Sequence, residues 1–254
     1  MKTRPILADI LNNSQGNLAT AEGWSKENGN RKPACVYFKT GSESENSLKQ
    51  VREKGFSVFG RKQLLEVLSE HSSVSNAIFQ DFLHRIKHIE EQYQAFRTTP
   101  IGSWTSECWV GFYQELERLE VIDNWGLVNS TSGSFWNAVL NWPYWKGYPF
   151  YMQIEQGRIA FKLSTDGKGL SKEDKKLIRN EAFNFLINQG KDAGLNEIHK
   201  PARFAVGNYM TVAQIDEEVW LGEKGSIVDI EGVIGRIAKY KLFQEEVASK
   251  GDEI

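Results

Sequence analysis

The sequence predicts an α+β protein, in which a small mixed α/β unit precedes an antiparallel sheet covered by helices. Residues 125–164 alternate between apolar and polar side chains and contain short glycine turns, as the strands of a meander do. Apolar residues recur at three- and four-residue spacing over 76–98, which indicates an amphipathic helix. Two short β-forming runs, 34–39 and 55–60, come before that helix.

The predicted organisation has four parts. Residues 1–32 carry one short apolar patch and are otherwise polar, so we expect a flexible segment. The mixed α/β unit covers 33–99 and ends at the turn-forming stretch 99–102. The helix-covered sheet occupies 100–248, and 249–254 is a predicted tail.

The elements of the first unit are predicted from changes in the spacing of apolar residues along the sequence. Strands are predicted at 34–39 and 55–60, with a polar loop at 40–50 between them. A helix then runs to about residue 71, and the amphipathic helix 76–98 follows.

The second unit is predicted to begin with a helix that Thr105 or Ser106 caps. Its other predicted elements are, in order, strands at 125–130, 134–141, 148–156 and 158–164, a helix from Ser171, strands at 203–207 and 210–215, and a final helix over 227–247.

Composition excludes several classes of protein. The chain has 254 residues, 40% hydrophobic and 25% charged, with a net charge of −2. This balance gives no global positive field for nucleic acid, although a local basic groove remains compatible with it. No apolar run approaches the roughly 18 residues of a membrane span, and no signal peptide precedes the chain, so we expect a cytoplasmic protein without membrane contact. Cys35 and Cys108 are too few for a disulfide framework.

Six of the eight tryptophans lie between positions 104 and 145. We interpret most of them as an aromatic core between sheet and helices, with a base-stacking platform as the alternative. The segment with Trp142, Tyr144, Trp145 and Tyr148 also contains proline and glycine, and so many rings are hard to bury in one loop. We therefore predict an aromatic contact loop there.

Basic residues near the predicted sheet form a second candidate site. Arg158 and Lys162 alternate onto one face of a strand, which would make a cationic stripe. Lys200 and Arg203 could extend this stripe, and Lys146 lies near the same sheet. These five residues are the predicted nucleic-acid contacts, through phosphate groups. A solvated outer face of the sheet is the alternative.

No complete catalytic motif occurs, and we predict neither a metal nor a cofactor. His84 and His88 have the spacing of a two-histidine metal pair, but 85–87 lacks the glutamate of a zinc protease, which favours surface histidines. A magnesium-dependent nuclease needs an acid two residues before a lysine on a strand. The closest approach ends at Lys162, where Ala160 replaces that acid.

Several stretches resemble the C-terminal part of a bacterial branch of the PD-(D/E)XK nuclease superfamily. The run Val36-Tyr37-Phe38-Lys39-Thr40-Gly41 is similar to the strand that follows the family's catalytic strands. Residues 56–68 and 76–98 are similar to the next strand and helices, and the run KPARFAVGNYMTVA to the trailing domain. The family's catalytic acids precede the first of these strands, and the upstream Asp9, Glu22 and Lys26 lack the required spacing.

The resemblance implies a nuclease-related protein without a catalytic half. We predict a non-catalytic nucleic-acid-binding or specificity module in a restriction or phage-defence setting. Its partners would be DNA or RNA, or a protein that supplies catalysis. Two alternatives stay open, namely a protein-interaction subunit that uses the aromatic loop and a residual magnesium-dependent nuclease.

Overall fold

The computed structural model describes residues 35–130 and 133–252, so the predicted flexible segment 1–32 lies outside the described residues. The fold class is α+β, as predicted. Contacts divide the chain into two compact units, one that ends at Glu90 and one that begins at Glu91. This division falls inside the long helix rather than at the turn-forming stretch 99–102.

The first unit contains a short parallel pair of strands and three helices. Its elements are β1 (Val36–Lys39), α1 (Glu45–Glu53), β2 (Ser57–Gly60), α2 (Arg61–Glu70) and the start of α3 (Ala77–Gln94). Both predicted strands are present, and they pair in parallel. Parallel neighbours need a crossover connection, and α1 supplies it.

Helix α1 corrects the predicted loop at 40–50. Its N-cap is Ser44, whose hydroxyl accepts from the backbone N–H of Ser47. Glu45 places a negative charge in the first turn, and Val51 is buried. The helix is short and mostly polar, so its apolar period is weak in the sequence.

The core of the first unit lies between α2 and α3, where Leu64, Leu68, Leu83 and Ile86 form one buried cluster. The buried side chain of Arg61 donates to Glu90 at 2.7 Å and to a backbone carbonyl of the loop after β1 at 2.8 Å. These contacts join the start of α2 to the loop after β1 and to α3.

The second unit is an antiparallel sheet with helices around it. Its elements are two short 3₁₀ helices (Ala95–Arg97 and Ile101–Ser103), α4 (Ser106–Arg118), β3 (Asn124–Ser130), β4 (Gly133–Asn141), β5 (Tyr144–Trp145), β6 (Tyr148–Glu155), β7 (Arg158–Ser164), α5 (Lys172–Asp192), β8 (Tyr209–Asp216), α6 (Glu217–Trp220) and α7 (Ile230–Asp252). The strand order is β3-β4-β6-β7-β8, and β5 pairs with β6.

Strand β5, helix α6 and the two 3₁₀ helices were not predicted, and two predicted elements are corrected. Residues 203–207 form no strand, because the Phe204 carbonyl accepts from the Arg179 side chain at 2.6 Å instead of from a neighbouring strand. Helix α7 continues to Asp252, past the predicted start of the tail at residue 249. Gly251 is buried there, and a Cβ at this position would collide with the indole of Trp145.

One face of the sheet builds the main core with the helices. Phe161 of β7 meets Phe243 of α7 edge to face at 6.4 Å. Trp125 of β3 stacks against Tyr113 of α4 at 6.4 Å. Most of the tryptophan cluster is buried or packed against this core, which confirms the predicted aromatic core.

Gly111 lies where α4 passes very close to the end of α3. A Cβ at this position would collide with the backbone carbonyl of Tyr93. Backbone cannot move aside cheaply, so Gly111→Ala should lower the free energy of unfolding by about 3 kcal/mol or more. Chemical denaturation measures this loss. Gly235 of α7 has open space around it and is the matched control. Gly235→Ala should raise stability by about 0.5–1 kcal/mol, and equal effects of the two changes would contradict the packing described.

Candidate functional site

The second face of the sheet is polar. The register aligns Tyr151, Lys162 and Thr211 across β6, β7 and β8, and it aligns Glu155, Arg158 and Asp216 in the same way. On β6 and β7 the two rows are four residues apart and so share a face, and a register shift at Phe161 and Lys162 brings Thr211 of β8 to the same side as Asp216. We call this surface the polar sheet face, formed by Tyr151, Gln153, Glu155, Arg158, Lys162, Thr211, Gln214 and Asp216.

A buried carboxylate lies on the polar sheet face beside the β6–β7 turn. Glu155 is only 3% exposed. Arg158 donates to one of its oxygens at 2.6 Å, and Lys162 donates to the other at 3.2 Å. The predicted cationic stripe is therefore corrected: both cations lie on one face as predicted, but they share one anion and carry a net charge of only +1.

Hydrogen bonds extend from this pair to the edge of the sheet. Arg158 donates to the Gln214 side-chain oxygen at 3.3 Å, and the Gln214 amide donates to Asp216 at 3.0 Å. Nε2 of His199 lies 3.1 Å from the same Asp216 oxygen. The backbones of His199 and Gln214 also exchange two hydrogen bonds. These contacts fix the segment that begins at His199 beside β8.

Lys200 and Arg203 follow His199, and both are exposed. The Lys200 ammonium lies 4.6 Å from the ring centre of Phe204, and the buried Arg179 guanidinium lies 3.8 Å from the same ring. Among the described residues, neither Lys200 nor Arg203 has a carboxylate partner. Lys200 and Arg203 therefore add positive charge to the net +1 of the Glu155, Arg158 and Lys162 group, and the segment that holds them contacts α5 through Phe204.

Lys146, the fifth predicted basic contact, is part of a different surface. Its ammonium group forms an ion pair with Glu181 of α5 at 2.7 Å. This pair ties the β5–β6 turn to α5.

The aromatic contact loop divides into buried and exposed rings. Trp145 is 2% exposed and packs against Phe185 at 6.2 Å, so it belongs to the core rather than to a contact surface. Tyr148 is half-buried, with the Lys168 ammonium 5.8 Å from its ring centre. Tyr144 is 57% exposed, because strand alternation turns it away from the side on which Trp145 is buried.

Trp142 connects the loop to the polar sheet face. Its ring stacks on Tyr151 with centres 4.2 Å apart and an interplanar angle of 27°. Trp142 is 54% exposed, whereas Tyr151 is buried. Tyr151 is in turn the cross-strand neighbour of Lys162. The two sites that the sequence predicts separately thus meet at Tyr151.

Tyr151 was not among the predicted site residues, although a signal for it exists. The predicted hairpin at Gln156 and Gly157 pairs residue 155 with 158, and the same count pairs 151 with 162. Burial, with smaller contributions from Tyr209 and Glu155, raises the pKa of Tyr151 to about 12. Its hydroxyl therefore stays protonated at neutral pH and can donate a hydrogen bond.

The histidine and cysteine side chains are weaker candidates for a functional site than the polar sheet face. His84 and His88 lie exposed on α3, and Cys35 and Cys108 are free thiols. Within 35–130 and 133–252, no three His, Cys, Asp or Glu side chains are grouped so that they could hold a metal ion. None of the helices in the described ranges is long and apolar enough to span a membrane.

No protein-family model, curated protein or solved structure matches this chain. The resemblance to PD-(D/E)XK nucleases therefore stays a prediction.

Glu155 provides a test of the polar sheet face. Glu155→Gln keeps the shape but removes the shared negative charge from Arg158 and Lys162, so it should lower the free energy of unfolding by about 1.5–3 kcal/mol. Glu181→Gln is the matched control, because it removes the exposed partner of Lys146 and should cost less than about 1 kcal/mol. Urea denaturation of both variants measures the two losses. A Glu155→Gln variant as stable as the control would show that the buried pair is not formed.

Proposed function

We propose that this chain is a non-catalytic nucleic-acid-binding module that uses the polar sheet face. The observation that carries the proposal is the stack of Trp142 on Tyr151, with Lys162 as the cross-strand neighbour of Tyr151. An exposed ring backed by a second ring is a platform on which a base can stack. The neighbouring side chains offer hydrogen-bond donors and acceptors for base edges or phosphates.

The Trp142 ring supplies the stacking surface. Tyr151 packs against it, and the ring is still 54% exposed. Stacking of a base on an aromatic side chain stabilises single-strand complexes by about 1–3 kcal/mol. Every base has a π-face, so this contact does not select a particular sequence. It favours unpaired nucleic acid, in which the faces of the bases are accessible.

The charge distribution supports modest phosphate binding. Glu155 offsets one of the two positive charges of Arg158 and Lys162, and Asp216 is part of the same hydrogen-bonded network. Lys200 and Arg203 at the edge are the exposed cations that could follow a backbone. Binding should therefore depend on salt only weakly, with a slope of about 0.7 for each single-strand phosphate contact.

The resemblance to PD-(D/E)XK nucleases supports a particular biological role for this module. We propose a role as a specificity or binding component in restriction or phage defence, with catalysis supplied by a partner. The two free thiols fit a reducing compartment such as the cytoplasm.

A protein-interaction subunit is the second candidate, because Trp142 and Tyr144 both expose more than half of their surface beside Pro143. Exposed aromatic residues also mark protein interfaces. Under this alternative, truncation of Tyr144 abolishes a co-purifying complex and leaves nucleic-acid binding unchanged.

Trp142→Ala tests the proposed function. With fluorescently labelled single-stranded DNA and RNA, loss of stacking should weaken binding about 5- to 150-fold. Leu242→Ala, an exposed apolar residue of α7, is the control and should leave the affinity unchanged. Fluorescence anisotropy at low salt measures both. If the wild-type chain binds neither single strand nor duplex, or if Trp142→Ala binds as wild type does, the proposal is wrong.

Lys200→Gln combined with Arg203→Gln tests the edge of the face. The double variant should weaken binding to all sequences alike and reduce the salt slope by about 1.4, which is two phosphate contacts. Lys241→Gln on α7 is the control. An unchanged slope would exclude both residues from the phosphate path.

A further inference from the structure

We infer that the second unit contains a base-binding pocket distinct from the Trp142 platform. A cavity of about 590 Å³, open to solvent on one side, lies where the start of α4 meets β3, β4 and the β6–β7 turn. Three tryptophans contribute to its wall, Trp104, Trp109 and Trp136. The volume lies within the range of small-molecule sites, about 300–1,000 Å³, so a base together with its sugar fits.

The aromatic wall is held in place before any ligand enters. Trp104 and Trp109 meet edge to face, with centres 4.9 Å apart and an interplanar angle of 80°. The indole N–H of Trp136 donates to the Ser106 hydroxyl at 2.7 Å. The backbone N–H of Trp136 donates to the Gln156 side-chain oxygen at 3.4 Å. A preorganised wall lowers the entropic cost of binding a flat ring.

The same hydrogen bonds determine what the pocket offers to a ligand. Because the Ser106 oxygen already accepts from Trp136, its own proton remains to be donated. The Gln156 oxygen is also engaged, which leaves its amide hydrogens as donors. Ser134 donates to Asn129 at 2.8 Å, so its oxygen can accept from a ligand. The pocket thus pairs two donors with one acceptor.

No ionised side chain lines this cavity among the described residues. A phosphate or carboxylate group would find no countercharge there, whereas an uncharged planar ring would contact aromatic carbon. Carbonyl acceptors and a ring N–H on such a heterocycle match the donors and the acceptor described. These are the properties of a nucleobase, and we propose that class of ligand.

The position of Gln156 connects the pocket to the polar sheet face. Gln156 occupies the β6–β7 turn, between Glu155 and Arg158. A strand that follows the polar sheet face can therefore place one unstacked base over the end of the sheet and into the pocket. This inference rests on the proposed nucleic-acid function and adds a second base contact to it.

Nuclear magnetic resonance of the indole N–H groups tests the pocket with uridine and guanosine as probes, whose bases carry both a carbonyl group and a ring N–H. Saturable shifts of the Trp136 signal are expected with a nucleoside and not with methyl glucoside. Gln156→Ala should weaken this binding at least about tenfold, and Ser106→Ala is a second variant that removes the other donor. Gln50→Ala, an exposed glutamine of α1, is the matched control and should bind as wild type does.

Three results would overturn the inference: no saturable shift with either nucleoside, an equal shift with methyl glucoside, or unchanged binding in both the Gln156 and Ser106 variants. The proposed function fails separately. If oligonucleotides bind and require Trp142 while nucleosides leave Trp136 unshifted, the pocket is excluded and the platform stands. If oligonucleotides do not bind at all, the proposed function itself is wrong, whatever the nucleoside titration shows.

Discussion

The register of the β6–β7 hairpin is the constraint on which the candidate site depends. Gly157 takes a positive φ of 87° in the two-residue turn, which favours glycine there. Glu155 then faces Arg158, and Tyr151 faces Lys162. A slip of one residue would move the whole polar row of one strand into the core. The apolar residues of the opposite face thus fix the position of the polar ones.

One face of this sheet is apolar and the other is polar, so the chain can hold a polar network while its core stays apolar. Phe161 and its apolar neighbours pack against helices, which leaves the alternate side chains to pair with each other. The buried Glu155 carboxylate would be costly to bury alone, and Arg158 and Lys162 offset that cost. The same pairing reduces the net charge of the polar sheet face, so the proposed contact would rely on stacking and hydrogen bonds more than on charge.

Much of the fold could be predicted from the sequence, because alternation and glycine turns mark β3, β4, β6 and β7 to within about one residue. Helix α1 and the irregular run at 203–207 were missed for opposite reasons. Helix α1 is short and polar, so its period is weak. The run 203–207 has strand-forming residues, but Arg179 binds its backbone instead of a neighbouring strand.

The candidate site was predictable only in part. Sequence alternation places Arg158 and Lys162 on one face, but it cannot show that Glu155 neutralises one of their charges. Trp145 has the same residue type and local context as Trp142, and contacts with distant helices distinguish them, namely with Phe185 of α5 and with Gly251 of α7. Long-range contacts of this kind leave no local pattern.

The most direct measurement of the central claim is photocrosslinking of the chain to a single-stranded oligonucleotide that contains 5-iodouracil, followed by peptide mapping. Crosslinks are expected at Trp142, since its ring is the exposed one of the stacked pair and forms the proposed platform. Crosslinks confined to residues of α7, on the other side of the sheet, would contradict it.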